Sequence, residues 1–438
     1  MTALETILLE SLSAWRTAPA WRVALSGGLD STVLLHLLVR LRAVMELPPL
    51  SALHVHHGLQ AAAEAWPAHC QAVCDELGVP LQVERVQVDA RASLERAARD
   101  ARYAAFERCL AGGEILLAAQ HRDDQAETLL LRLLRGAGVR GLAGMPEQRR
   151  LGQGWLLRPL LGVSRADLES YARQHGLRWV EDPSNADTGL ARNFLRHQVM
   201  PVLQRRWQQA GATLARAAAH QRETELLLGE LAEQDLAAAG APGAFAWLGL
   251  PSLELAPLLS LSEARQRNAL RYWLARYARM PDSAHWSGWI CLRDAQSDAA
   301  ARWCVDGGEL RRADGRLWWL SGEWLPQPSG PVMWEDAAQP VQMPGNGTAY
   351  FQGMAPGGLL QLRYREGGES MRLAGRGRRD LKRLLNERGV PAFVRGRLPL
   401  LYRGDELLAV AGLRGLDGPS SEEWRLCWLP PGIAQGLS

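Results

Sequence analysis

Trp21-Arg22-Val23-Ala24-Leu25-Ser26-Gly27-Gly28-Leu29-Asp30-Ser31 is the stretch whose reading decides the fold. A short apolar run, Val23 to Leu25, meets Ser26-Gly27-Gly28-Leu29-Asp30-Ser31, and a strongly apolar helical pattern from Thr32 to Leu41 follows at once. The order predicts strand, tight turn, helix. The glycines let the backbone turn sharply and approach a ligand closely. The free N–H groups opening the next helix, with the partial positive charge there, form a cradle for an anion. Ser26 and Ser31 add hydroxyl donors, and Asp30 is placed to hold a divalent cation. The stretch reads as a phosphate site with a metal ligand built into it. It is not the common nucleotide loop, which needs a lysine after its last glycine; the single lysine of this chain is Lys382.

Outward from that turn, strand and helix signals alternate. Ser51 to Val55 predicts a strand, then a helix over about 61–77 that Pro67 starts or kinks. Val79 to Val88 predicts a strand, Ser93 to Leu110 a helix stopped by Gly112-Gly113, and Glu114 to Ala119 another strand. This alternation predicts an α/β fold, a mostly parallel sheet with helices on both faces. Ligands of such sheets lie beyond the carboxyl ends of the strands, and the polar residues fall there. His54-Val55-His56-His57-Gly58-Leu59 reads as a polar rim near nucleotide rather than a metal cluster. Gln120-His121-Arg122-Asp123-Asp124-Gln125-Ala126-Glu127-Thr128 opens the next helix, with Asp124 and Glu127 on one face. Carboxylates suit any first helical turn, but a His, two Asp and a Glu together at the ligand edge point to Mg²⁺ on a triphosphate or to a substrate ammonium group.

Arg135 to Met145 is a basic, glycine-rich loop, a phosphate cover or a plain linker. Arg158-Pro159-Leu160-Leu161 predicts a strand-like stretch, and Ser164 caps a helix from Arg165 to His175. Trp179 to Asn185 is an acidic, turn-rich loop. Arg192 and Arg196 stand one helical turn apart, either to clamp a phosphate or to pair with acids such as Glu181 and Asp182.

At 438 residues the chain has room for two or three domains. Residues 1–209 form the first. A long Ala/Leu/Glu-rich helix, Gly211 to Ala239, leads into a mainly helical middle domain, 210–330, with a β stretch at Arg316 to Leu320. Its tryptophans Trp247, Trp273, Trp286, Trp289, Trp303, Trp318 and Trp319 read as core rather than as base-stacking platforms. Pro326 to Pro344 reads as a linker, and 345–438 as a small α+β domain with a helix at Leu381 to Glu387. Net charge is only +3, yet Arg363 to Arg397 holds eleven basic residues against four acidic ones. Such a patch suits a polyanion. Six cysteines without a C-x-x-C pair exclude a zinc ribbon. No apolar run reaches the ~18 residues of a membrane span. These features together predict a reduced, cytoplasmic enzyme with no membrane partner.

The order Ser-Gly-Gly-Leu-Asp-Ser after a first strand resembles the pyrophosphate loop of the ATP pyrophosphatases, which split ATP into AMP and pyrophosphate. The further segments His54 to Leu59, His121 to Thr128, Arg135 to Met145, Arg158 to Leu161, Trp179 to Asn185 and Arg192 to His197 resemble, in that order, the catalytic domain of the tRNA(Ile)-lysidine synthetase family. His56 and Gln120 depart from the family's more frequent Asn and His, and the resemblance carries no role to those two. Arg372 to Leu385 with Leu398 to Leu401 resembles the family's C-terminal domain. The resemblance implies ATP as co-substrate, Mg²⁺, free L-lysine, and tRNA(Ile) with a CAU anticodon, whose wobble cytidine becomes lysidine; a homodimer is left open. It implies ATP binding by Ser26, Gly27, Gly28, Leu29, Asp30 and Ser31. The implied mechanism assigns Asp30 and Asp124 to Mg²⁺ or lysine, His121 or Glu127 to the amine proton, and Arg192 to the α-phosphate or the cytosine. It further implies that Arg376, Arg378, Arg379, Lys382 and Arg383 bind tRNA. The alternatives are a tRNA thiolation enzyme or an RNA-binding protein with a dead nucleotide fold.

Overall fold

The computed structural model describes residues 2–58, 64–88, 94–279, 285–295, 301–373, 377–419 and 423–433. The chain forms two compact units, Met1–Leu227 and Leu228–Ser438.

The first unit is built on a six-stranded sheet: β1 (Trp21–Ala24), β2 (Leu50–His56), β3 (Leu81–Arg85), β4 (Ile115–Leu117), β5 (Gln148–Leu151) and β6 (Gly154–Leu157), in the order β3-β2-β1-β4-β6-β5. β1 pairs in parallel with both β2 and β4, Trp21 standing opposite Leu50 and Ile115. Only the β5–β6 hairpin is antiparallel. The alternation of side chains along each strand feeds two cores. Val23, Ile115 and Leu117 pack with α1 (Ala3–Leu12), α2 (Leu29–Arg42), α3 (Trp66–Leu77) and α7 (Arg165–Gln174). Leu53, Val55 and Leu116 pack on the other face with Ala105, Phe106 and Leu110 from α4 (Leu94–Cys109) and its end. The predicted parallel sheet with helices on both faces is present. α2 is the central helix: Val33, Leu34, Leu35, Leu37 and Leu38 are fully buried, each contributing about 1.5–3 kcal/mol by removal from water. Between β4 and the hairpin run α5 (Arg122–Leu133) and the short α6 (Val139–Leu142); after α7 come α8 (Ala191–Phe194), α9 (Met200–Arg206) and α10 (Ala210–Ala239), which runs past the division between the units.

Two expectations are corrected here. Arg158 to Leu161 is a turn, not a strand; the strand is β6, just before it, and its partner β5 carries too little apolar pattern to be read. Arg135 to Met145 is not a loose linker. Arg132 donates to the carbonyls of Gly141 and Gly144, both at 2.8 Å, and the Gln125 side chain bonds both the N–H and the carbonyl of Met145.

The second unit is less helical than expected. α11 (Leu255–Leu259), α12 (Glu263–Leu274) and α13 (Trp286–Asp294) accompany an antiparallel sheet of β7 (Ser252–Glu254), β8 (Arg302–Val305), β9 (Gly308–Ala313) and β10 (Arg316–Ser321), of which only β10 was legible. Trp273, Trp286, Trp289, Trp303, Trp318 and Trp319 are buried, and Trp247 is half-buried. The stretch expected as a linker carries β11 (Val332–Trp334) and β12 (Val341–Gln342), with Trp334 and Met343 buried. They join a core that holds Trp318 and Trp324 together with Leu381, Leu400 and Trp428. Residues of segments 210–330 and 345–438 therefore share one core within the second unit. β13 (Thr348–Gly353), β14 (Leu360–Arg363), β15 (Ser370–Leu373), β16 (Gly377–Asp380), α14 (Leu381–Glu387), α15 (Ala392–Arg395), β17 (Leu400–Arg403), β18 (Glu406–Val410) and β19 (Trp424–Leu429) complete the unit.

Candidate active site

β1 ends at Ala24, and Leu25 to Gly28 turn the chain into α2. Helix begins at Leu29, earlier than the apolar pattern suggests, so Leu29, Asp30 and Ser31 form the first helical turn. Gly28 occupies the cap position and no side chain caps the helix. The first N–H to bond back is that of Thr32, to the Gly28 carbonyl at 3.1 Å; those of Leu29, Asp30 and Ser31 have no intrahelical partner, as in any first turn. The turn is braced internally: Ser31 Oγ accepts from the Ser26 N–H at 3.2 Å and donates to the Gly28 carbonyl at 3.0 Å. Gly27 has φ +82°, and a Cβ there would lie 3.1 Å from Cys70 Sγ and 3.2 Å from Val180 Cγ2. Its carbonyl accepts from the Val180 N–H at 2.9 Å, which ties the acidic loop to the turn.

The histidines of β2 are not a rim. His54 is 2% exposed, its Nδ1 lies 2.8 Å from the Leu25 carbonyl and 3.4 Å from Cys70 Sγ, and it braces the turn from beneath. His56 is also buried, and only His57 is half-exposed. Burial pulls the His54 and His57 imidazoles below their usual range. Leu59 lies outside the described residues.

The acidic helix start faces the same turn. His121 caps α5 and is 1% exposed. Its Nδ1 accepts from the Asp124 N–H at 3.4 Å, while Asp124 Oδ2 accepts from the His121 N–H at 3.1 Å. In a neutral ring that leaves the proton on Nε2, which lies 3.7 Å from Asp30 Oδ2 and 3.5 Å from Asp124 Oδ2. Asp30 and Asp124 thus flank one imidazole edge. Burial pushes the Asp30 carboxyl above its usual range, against the pull of His121 and Arg165. Burial also acts to raise Asp124, but His121 and Arg192, with the His121 N–H and Arg196, outweigh it and hold that carboxyl low.

Arg192 and Arg196 do not pair with Glu181 or Asp182; they close over α5. Arg192 donates to Glu127 Oε2 at 2.8 Å and to Asp124 Oδ1 at 3.0 Å. Arg196 donates to Glu127 Oε1 at 2.6 Å and to Asp124 Oδ1 at 3.1 Å. Glu127 is 2% exposed and both its oxygens are engaged by guanidinium N–H groups. A π-turn over Leu195–Val199 separates α8 from α9. Pro201 has no N–H to donate back to His197, and the helical register loosens there. The one-turn spacing of Arg192 and Arg196 was the signal that the two act together. Asn193 fastens the acidic loop, donating to the carbonyls of Ser184 and Asp187 at 2.8 and 3.0 Å. Gln120 accepts from buried Arg158 at 3.0 Å, so the departure at position 120 is satisfied within the scaffold.

Among the described residues no group of three or more His, Cys, Asp or Glu is arranged to hold a metal by itself. The donor set nevertheless fits Mg²⁺ on a polyphosphate, which takes one or two carboxylates with the rest from phosphate and water: Asp30 Oδ1 is buried without a partner. Far along the chain, Arg378 and Arg379 on β16 and Lys382 and Arg383 on α14 are exposed, with Arg383 paired to Glu387 at 3.0 Å. Arg376 lies outside the described residues.

A parallel sheet whose first strand delivers a glycine turn to an uncapped helix, opposite an acidic helix start, defines a PP-loop domain, and a family model of that description matches residues 2–203. Models for a TilS substrate binding domain and a TilS substrate C-terminal domain match residues 253–318 and 360–428. The tRNA(Ile)-lysidine synthase of Pseudomonas fluorescens (strain Pf0-1) is 63% identical over 99% of this chain and 98% of its own length. That of Pseudomonas aeruginosa is 60% identical over 99% of each, and that of Escherichia coli O157:H7 is 42% identical over 89% of this chain and 91% of its own. The chain belongs to the tRNA(Ile)-lysidine synthase family.

Proposed function

We propose that this ligase joins L-lysine to carbon 2 of the wobble cytidine in the CAU anticodon of tRNA(Ile), through an adenylated cytidine, and so changes a Met-type reading to an Ile-type one. The carbonyl oxygen at carbon 2 is a poor leaving group. Its attack on the α-phosphate of ATP makes it an AMP ester and releases pyrophosphate; the lysine ε-amine then attacks carbon 2 and AMP departs.

Charge develops on the departing pyrophosphate. The open N–H groups of Leu29, Asp30 and Ser31, with the Ser26 hydroxyl, stabilise it at the helix start. Asp30, with Asp124 beside it, would hold Mg²⁺, which when bound supplies further positive charge to the phosphates. The ε-ammonium of lysine must lose a proton to attack. Of the two candidates for that proton, His121 has an imidazole edge between two carboxylates, whereas Glu127 is saturated by arginines. His121 is the acceptor in this reading once its own Nε2 proton has passed to Asp30 or Asp124 beside it, and Glu127 positions Arg192 and Arg196, whose remaining N–H groups meet the α-phosphate or the cytosine. An anticodon cytosine is already unpaired, so extruding it is cheap. Discrimination from a methionine tRNA with the same anticodon letters must read other parts of the molecule, which gives the second unit its purpose. The tRNA substrate makes the cytoplasm the place of action, and among the described residues no helix is long and apolar enough to cross a membrane.

One observation carries the reading: buried, unpartnered Asp30 Oδ1 stands at an uncapped helix start, across His121 from Asp124. Incubating the protein with ATP, Mg²⁺, radiolabelled lysine and a tRNA(Ile) transcript should place lysine in the tRNA with tRNA-dependent release of pyrophosphate. Transfer of sulfur instead, or pyrophosphate release indifferent to tRNA, would sink it.

A further inference from the structure

The second unit holds a cleft of about 380 Å³ between α10, the loop to β7, and the end of α12. Its lining combines Tyr272, Trp273 and Tyr277 with Arg276, Glu233 and Ser252. Tyr277 rests on the tryptophan core. Tyr277 stacks on Trp319 with centroids 6.2 Å apart and planes 24° apart, meets Trp273 edge-on at 5.6 Å, and is still 39% exposed. Tyr272 donates its hydroxyl to Glu233, and the Arg276 guanidinium lies 5.7 Å from the Tyr272 ring centre.

The cleft also borders an open strand edge. Among the described residues β7 is the outer strand of its sheet and pairs only with β10. Pro251 and Leu255 bond across to Trp319 and Gly315, so in an antiparallel ladder the odd-numbered residues face β10 and Ser252 turns its main-chain N–H and C=O outward. One wall thus offers a planar ring held by a rigid aromatic behind it. The other offers a donor and an acceptor side by side, flanked by a guanidinium and a carboxylate. A flat, polar-edged heterocycle attached to an anion fits those three features together, and a greasy ligand does not.

We propose that this cleft takes one unpaired nucleobase of the RNA substrate, stacked on Tyr277, its hydrogen-bonding edge read by Ser252 and Glu233, and its phosphate met by Arg276. This rests on the tRNA substrate proposed above and gives the second unit a reading site of its own, distinct from the wobble-base chemistry. Base–aromatic stacking accounts for a large share of affinity at single-stranded sites.

The test uses the full-length protein and the tRNA(Ile) transcript. Tyr277→Ala should raise the KM for tRNA at least fivefold, with KM for ATP and kcat unchanged, and Tyr277→Phe should restore it. Arg276→Ala should raise the same KM and lower its salt dependence. Ultraviolet irradiation of the wild-type complex, followed by digestion and mass spectrometry, should give a nucleotide adduct on Tyr277 or Tyr272. An unchanged KM in Tyr277→Ala, or a KM that stays high in Tyr277→Phe, overturns the cleft while lysine transfer by the wild type keeps the function reading intact. Absence of lysine transfer by the wild type would instead remove the reading on which the cleft rests.

Discussion

Glu127 on α5 and Arg196, which stand 69 residues apart in the chain, meet at 2.6 Å, and Arg192 binds the other oxygen of the same carboxylate at 2.8 Å. One buried acid thereby fixes the direction of two guanidinium groups at the mouth of the site. Arg196 is held more strongly charged than usual despite its burial, chiefly by that hydrogen bond. The pairing converts a helix face into a positioned cationic surface, the one proposed above to meet the reacting phosphate or base.

Glu127→Gln should therefore separate positioning from binding. It keeps the volume but loses the charge-assisted bonds, costing about 1.5–3 kcal/mol of stability, below the full penalty of a buried pair because Arg192 and Arg196 remain 31% and 22% exposed. The denaturant midpoint should fall accordingly. kcat should drop at least tenfold while the KM for ATP moves little. A variant with wild-type kcat would show that the arginines need no anchor.

Asp30 and Asp124 should respond to pH with opposite signs. Asp30 is raised above the ordinary 3.8, so the folded protein keeps that proton longer than the unfolded chain does. Its contribution is most favourable at low pH and is lost as pH rises through the raised value. Asp30→Asn should accordingly be more stable than the wild type at pH 7 in the absence of ligand, yet release no pyrophosphate and still bind tRNA. Mg²⁺ with ATP should raise the Tm of the wild type but not of this variant. Asp124 is lowered, so its stabilisation is present above the unfolded value and lost as pH falls through the lowered one. Asp124→Asn should lose stability at pH 7 and flatten the acid limb of the stability curve. Thermal unfolding from pH 3 to 8 reads both.

Gly27→Ala should be damaging out of proportion to one methyl group. At φ +82° an L side chain is strained, and the new Cβ would press on Cys70 Sγ at 3.1 Å. The cost should be about 1–3 kcal/mol, with a raised KM for ATP because the N–H groups of the next turn shift. The control is Gly28→Ala, whose Cβ meets nothing closer than 3.4 Å and whose φ is −78°. Equal damage from both would refute the steric account.

The exposed basic strip of β16 and α14 should act through phosphate. Replacing Arg378, Arg379 and Lys382 together by Ala should weaken tRNA binding and flatten the slope of log affinity against log salt by about 2–3. Filter binding across a salt series measures it, and unchanged affinity would leave the strip as a solvated face.

The sequence by itself determined the class of the first unit, because its information is local. A strand's period of two, a helix's period of 3.6, glycines at a turn and acids at a helix start can each be read within a dozen residues. That is why β1, α2, α5 and the Ser26–Ser31 turn were legible, and why α14 was found at Leu381–Glu387. What only the tertiary structure decided was partnership. Arg192 and Arg196 were visible, but the acids they bind lie on a helix more than sixty residues earlier, and nearer acids in the chain, Glu181 and Asp182, looked equally suitable. His54 reads as part of a polar rim until its burial beneath Leu25 makes it a brace. The edge strands β5, β7, β8 and β11 escaped notice because short strands draw their stability from cross-strand neighbours rather than from their own composition. Packing of Trp334 and Met343 turned an expected linker into core for the same reason: burial is a property of the contacts a residue finds, and the chain brings those contacts from far away.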